Sequence, residues 1–192
     1  SQGFIVKGAG WHCRVHPLRL DLATALERLP FPDGGLVTAS ALLDLVSAHW
    51  LDALLNRCRE TRCQLLFALS YDGRCALTPS HADDATLIDI VNRHQRTDKG
   101  FGPALGPDAA AHAQTRCQSL GYQTMSATSD WRVGGDQPRL QRTLISGWRR
   151  VALELEPARS DRIDRWYLAH ERLVDDGRLL MTVGHRDLLA TL

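Results

Sequence analysis

At 192 residues, 44% hydrophobic and 23% charged, the chain can bury one sizeable core and has the make-up of an ordinary globular domain. A formal net charge of +1 gives no bulk electrostatic case for nucleic acid or an anionic membrane. No apolar run approaches the roughly 20 residues that span a bilayer, and no secretory leader pattern is visible, so a cytoplasmic location is expected.

The five cysteines, Cys13, Cys58, Cys63, Cys75 and Cys117, are odd in number and lack the paired C-x-x-C spacing of a zinc site. Reduced thiols are expected, with no disulfide framework and no metal.

Residues 1–13 are glycine-rich and read as an irregular start. Arg14 to Leu22 alternates like a strand, which Pro17 demotes to an edge. Ala23 to Leu29 reads as a helical turn or two, stopped by Pro30. After the turn Pro32-Asp33-Gly34-Gly35, Leu36 and Val37 open a short strand that passes through Thr38-Ala39-Ser40. From Leu42 to Leu54 apolar residues recur near a 3.6-residue period, the signature of a helix. Cys63 to Leu69 is a near-continuous apolar run, suited to a strand buried on both faces and closed by a turn at Asp72-Gly73. His81 to Val91 should be helical, with Ser80 as its N-cap.

Residues 92–107 form a long polar loop, and loops of this length tend to be functional or mobile. Asp108 to Leu120 is an Ala-rich helix closed by Gly121, and Tyr122 to Val133 a partly alternating strand. Pro138 to Leu155 and Ser160 to Val174 are amphipathic helices within a helical insertion at 136–176; Leu179 to Leu189 is the final strand. Strand and helix alternate after Gly35, so a mostly parallel α/β sheet is expected, with the last two strands as an antiparallel edge. In such a sheet, ligands sit outside the carboxyl ends of the strands, where small residues let them approach the backbone.

The segment GLVTASALLDLVS…WLDAL resembles the fourth strand and following turn of class I S-adenosylmethionine-dependent methyltransferases of the small-molecule branch. The likeness implies a Rossmann-like sheet, methyl transfer to a small-molecule acceptor, and S-adenosyl-L-methionine as cofactor. It extends from Leu20 to the C-terminus and covers only the second half of the family pattern. The family's glycine-rich turn and its acidic ribose-binding residue have no convincing counterpart; Lys7-Gly8-Ala9-Gly10 follows too short an apolar run and reads as a chance match. The whole chain is thus expected to be a single partial domain lacking the first strands. The strand at Leu36 would have an unpaired apolar edge, so either an N-terminal part is lost or two chains pair edge to edge as a dimer. A catalytically silent, methyltransferase-like module that binds a partner protein is the alternative.

The resemblance places cofactor contacts at Asp21 and Leu22, where the family's third strand ends, and at Thr38, Ala39 and Ser40. Asp21 could equally cap the turn that follows it, and the three small residues could serve close packing. Tyr71 falls at the acceptor side of the crevice, or else forms an aromatic lid on the core. The long loop carries Arg93, His94, Arg96, Asp98 and Lys99, and its three cations and imidazole suit an acidic group: Arg96 and Lys99 for substrate, His94 as a candidate general base. The competing reading is a solvated basic loop. Trp131 is a candidate aromatic wall, or else core or interface. Asp44 reads as an exposed helix residue and His185 as a satisfied edge-strand histidine. No nucleophile-elbow, Walker or EF-hand pattern occurs, and methyl transfer, which mainly positions two reactants, needs none.

Overall fold

The structure, a computed structural model, describes residues 3–192 and divides into two compact units, Ser1–Pro30 and Phe31–Leu192. In the first unit, strands β1 (Phe4–Gly8) and β2 (Trp11–Val15) pair antiparallel as a hairpin. The irregular start read from the glycines is therefore corrected. Ala9-Gly10 is a two-residue turn, with Gly10 left-handed at φ 79°, and turns of that length join antiparallel strands. Gly8 faces Trp11 so closely that a Cβ there would strike the indole. The strand expected over Arg14–Leu22 stops at Val15, because the residue before a proline and the proline itself cannot both serve a ladder. A single 3-10 turn, Leu26–Arg28, stands where Ala23–Leu29 was read as helical.

The second unit is an α/β fold around a five-stranded mixed sheet of order β3-β4-β7-β5, with β6 also on β7. β3 (Leu36–Ser40) runs parallel to β4 (Gln64–Thr78), and α1 (Ala48–Glu60) makes the crossover. β7 (Leu180–Thr191) is antiparallel to β4 and to β5 (Gln123–Thr128). β6 (Trp131–Val133) continues β5 along β7 in the same register. The last strand is antiparallel as expected, but it lies inside the sheet between β4 and β5.

Two helix starts differ from the sequence reading. After β3 the chain makes a 3-10 turn, Leu43–Leu45, before Ser47 caps α1 by accepting from the Trp50 amide at 3.2 Å. α2 (Asp84–Gln95) starts beyond Ser80, with the Asp84 carboxylate accepting from the His81 amide at 2.7 Å. It also runs further into the polar stretch than expected. α3 (Ala109–Ser119) ends before Gly121, while α4 (Pro138–Leu155) and α5 (Ser160–Asp175) occupy the expected spans.

Two buried regions sit against this sheet. Val37, Ala39, Leu65, Phe67, Leu188 and Ala190 share one side by register, and α3 packs on β4, β5 and β7 with α1 against it. Cys58, Cys63 and Cys117 are buried free thiols; burial pushes Cys58 up to about 12 and Cys117 up to about 11, so they pack as small apolar groups. Toward the other end, Leu77, Val133 and Met181 join Leu87 and Ile90 of α2, Ile145 of α4 and Trp166 of α5 in a second cluster. The Trp166 indole N–H donates to Asp84 at 2.7 Å, so the aromatic anchor is also hydrogen-bonded.

The reverse side of the first region is uncovered. Thr38, Leu66, Leu189 and Met125 stand side by side across four strands, all exposed, Met125 at 69%. The expectation that Cys63–Leu69 is buried on both faces is corrected: Leu65 and Phe67 are inside and Leu66 is outside. An apolar run records affinity for burial, and here helices cover only one side. Among the described residues β3 pairs only with β4, so its outer edge is open, and no helix is long and apolar enough to cross a membrane. Phe67→Ala should cost about 3–5 kcal/mol in urea unfolding, whereas Leu66→Ala should cost about 1 kcal/mol or less.

Candidate functional site at the end of β3 and the bulge of β4

The parallel pairing of β3 with β4 stops at Ser40 and Ala68, and there both chains enter backbone that L-residues rarely adopt, β4 running on beyond it to Thr78. Ala41 follows Ser40 at φ 51°, and Leu69 follows Ala68 at φ 55°. Such conformations cost of order 1–3 kcal/mol each and persist only where neighbours hold them. The Ala41 amide donates to the Ala68 carbonyl at 3.0 Å. The Leu69 amide donates to the Asp187 carboxylate at 2.8 Å, and the Ser129 hydroxyl donates to the same oxygen at 2.6 Å. A single carboxylate thus clasps β4, β7 and the β5–β6 junction.

The turn read at Asp72-Gly73 is absent as a chain reversal, because β4 continues through it with two breaks in register. Gly73 is left-handed at φ 83° and a Cβ there would press on Pro107, so the glycine serves a bulge and a close approach. The Asp72 carboxylate accepts from the Arg74 amide and guanidinium, and Arg74 also pairs with Asp130. This network fixes the bulge against β7, where a Cβ on Gly184 would collide with the Asp72 carboxyl.

Tyr71 is buried rather than opening on a crevice. Its hydroxyl donates to Asn92 Oδ1 at 2.7 Å, and Asn92 Nδ2 donates to the Gly73 carbonyl at 3.0 Å. Burial, foremost, raises the Tyr71 phenol far above its usual value, so it stays protonated. Its partner across the sheet is His185, also buried. The His185 ring lies between Tyr71, edge-on at 6.2 Å, and half-exposed Trp131 at 5.0 Å. His185 Nδ1–H donates to the Val183 carbonyl at 3.0 Å, and the Asp130 carboxylate accepts from its main-chain amide at 3.2 Å.

Asp44 completes the group. Leu43 and Val46, both buried, anchor the 3-10 turn so that Asp44 points inward and is only 8% exposed. Its Oδ1 is buried without a hydrogen-bond partner. Burial raises its pKa above the usual carboxylate value; backbone hydrogen bonds at Asp44 and Tyr71, and then the charge of His185, pull the other way. The sequence readings of Asp44 as exposed and of His185 as an edge residue are both corrected. Helical period placed Asp44 on a polar face, but the chain is not yet in its helix there. His185 sits on an interior strand. Neither carries a motif; the only sequence signal was a charged or titratable residue set among apolar neighbours.

Thr38 and Ser40 are exposed and Ala39 half-buried, on the strand end adjacent to this group. Tyr71 and Trp131 belong to the group. The cations of the long loop do not, and they close on one another instead. Arg96 holds Asp108 at 3.0 Å and donates to the Asn92 carbonyl; Lys99 Nζ donates to the His94 carbonyl at 3.1 Å and the Thr97 hydroxyl at 2.8 Å. These are cations at a helix C-terminus, where the exposed carbonyls favour them. Arg93 pairs with Glu156, and Asp98 accepts from the Gly100 and Gly102 amides. His94 faces Lys99 at 3.4 Å and Glu154 at 4.0 Å; burial and then Lys99 hold its pKa below the usual histidine value. The loop packs by Phe101 edge-on to Trp50, and the Leu105 amide donates to the Val46 carbonyl.

Asp21 and Leu22 lie in the first unit, in a turn and not at a strand end. Asp21 Oδ1 accepts from the Ala23 amide at 3.0 Å, the capping geometry. Among the described residues no three His, Cys, Asp or Glu groups gather as a metal site would require.

No family model matches the chain, and no curated protein matches it. Among solved structures it is similar to the cyclopropane synthase MmaA2 from Mycobacterium tuberculosis, at 10% identity and a TM-score of 0.34. The likeness covers 86% of this chain and 57% of that one, so the chain spans little more than half the length of the structure it matches. At that score the superposition is too loose to assign chemistry.

Asp44 offers a direct test. A carboxyl whose folded pKa is raised binds its proton more tightly in the folded state. Its favourable share is full below the unfolded value and is lost as pH rises through the folded one. Asp44→Asn should therefore raise the melting temperature at neutral pH, with the gain vanishing below the ordinary Asp range. Thermal unfolding by circular dichroism across pH checks this.

Proposed function

We propose that residues 31–192 form the acceptor-side half of an S-adenosylmethionine-dependent methyltransferase site acting on a small molecule. The observation that supports it most is the exposed small-residue end of β3, set on a parallel β–α–β unit beside a buried polar group. Small side chains at the carboxyl end of such a unit let a ligand approach the backbone. In this reading Thr38, Ala39 and Ser40 hold the methionyl end of the cofactor, and the acceptor lies over β4 and β7.

The residues present fit that end of S-adenosylmethionine only. No described residue serves the adenosine end, because Lys7-Gly8-Ala9-Gly10 closes a hairpin and Asp21 is spent on a turn. Completing the cofactor site therefore calls for strands added on the open edge of β3. A second copy pairing through that edge is one way to supply them. The cofactor, when bound, supplies an electrophilic methyl group; the chain's own task is to position the acceptor and exclude water.

One observation favours the other reading, a catalytically silent module. The uncovered row Thr38, Leu66, Leu189 and Met125 suits a partner protein as well as it suits further methyltransferase elements.

Calorimetric titration of the intact gene product with S-adenosylmethionine separates the two. Saturable heat is expected, and Thr38→Trp should abolish it without lowering the melting temperature, since Thr38 is exposed. A flat titration with a folded protein would leave the partner-binding module.

A further inference from the structure

We propose that β3 pairs with β3 of a second copy of this chain, antiparallel across a two-fold axis at Thr38. The inference goes beyond the methyl-transfer reading and does not rest on it. It starts from where the main chain of β3 points. In a parallel ladder a strand turns the N–H and C=O of alternate residues to its neighbour. The Gly35 carbonyl accepts from the Gln64 amide at 2.7 Å, and the Ala41 amide donates to the Ala68 carbonyl at 3.0 Å. With Leu36 opposite Gln64 and Ser40 opposite Ala68, Val37 and Ala39 therefore face β4 in the same way. Leu36, Thr38 and Ser40 turn their N–H and C=O groups outward, where among the described residues no strand meets them.

This edge is unguarded. Native proteins blunt exposed edges with charge, proline or a bulge. The opposite edge of the sheet is interrupted between Thr128 and Trp131 and carries Arg132. Leu36–Ser40 has no charge and no proline, and its register with β4 is unbroken. The charges at its entrance, Asp33 and Arg62, are paired with each other at 2.6 Å.

The strand also matches itself. A two-fold axis normal to the sheet brings two copies of one strand together antiparallel. Outward-facing residues must then oppose one another, and the register centred on Thr38 is the longest that does so. Thr38 faces Thr38, and Leu36 faces Ser40 on either side of the axis. Three opposed pairs of two bonds each make six N–H···O bonds, which meet every outward group of both strands. Side chains agree with this register. Val37 and Ala39, half-buried, face each other across the axis, and Leu36 lies beside Ser40, so large meets small each time. Five residues a side lie at the small end of specific interfaces, so the dimer dissociates on dilution.

Sedimentation of the full chain over a roughly hundredfold concentration range should show the dimer forming. Thr38→Pro removes an N–H that points away from β4. It should leave the melting temperature unchanged and weaken the dimer about tenfold or more. Charge reads the register: Leu36→Lys with Ser40→Lys should abolish the dimer, whereas Leu36→Lys with Ser40→Glu should keep it. Hydrogen exchange of the wild-type amides needs no variant to fold. The amides of Leu36, Thr38 and Ser40 should exchange fast in dilute solution and slowly when concentrated, while those of Val37 and Ala39 stay protected in both. A monomer at every concentration, a dimer that Thr38→Pro leaves intact, or a Lys/Glu variant that associates no better than Lys/Lys would each overturn the proposal. So would exchange at Leu36, Thr38 and Ser40 that ignores concentration; slow exchange at every dilution would mean that another segment already fills the edge. A flat S-adenosylmethionine titration bears on methyl transfer alone.

Discussion

The second unit depends on β4 remaining one strand while its backbone is displaced twice. Its first half pairs with β3 and carries Leu65 and Phe67 into one core; its far end carries Leu77 into another. Between them lie the left-handed Leu69, Tyr71 and the Gly73 bulge. A straight ladder would keep one face throughout. The displacements let the strand serve two cores, and they also aim Tyr71 at His185.

What holds the displaced backbone is polar. Asp187 accepts from Leu69 and Ser129, Asp72 accepts from Arg74, and Asn92 bridges the Tyr71 hydroxyl and the Gly73 carbonyl. Each bond is worth about 1 kcal/mol net, but leaving a buried partner unmet costs about 1–3 kcal/mol, so the set enforces one geometry more than it adds stability. Asp44 stands apart, since its Oδ1 goes unmet within a group otherwise satisfied. Burial without a partner for that oxygen costs stability, and burial accordingly raises the Asp44 pKa.

The uncovered side of the sheet and the open edge of β3 belong together. Both expose apolar surface: Leu36 on the edge strand, and Leu66, Leu189 and Met125 on the uncovered side. A strand added at the edge of β3 would extend that uncovered side rather than close it.

By itself the sequence determined the alternation of elements: β3, α1 and β4 in parallel succession, the spans of α4 and α5, and an antiparallel final strand. Local signals fix these, namely apolar period, capping and proline stops. It offered Thr38–Ser40, Tyr71 and Trp131 as candidates together with Asp21, Leu22, His94, Arg96 and Lys99, because a linear string shows residue types but not which of them gather. Tertiary structure alone decided the rest. Asp72-Gly73 reads as a turn, yet β7 pairing carries the chain through it as a bulge; Lys7-Gly8-Ala9-Gly10 became a hairpin because Trp11–Val15 pairs back on Phe4–Gly8. Asp44 and His185 lie 141 positions apart, and both are buried by what the fold packs around them: the inward 3-10 turn and the placing of β7 between β4 and β5. No local pattern records that burial, since it is a property of neighbours brought together by the fold.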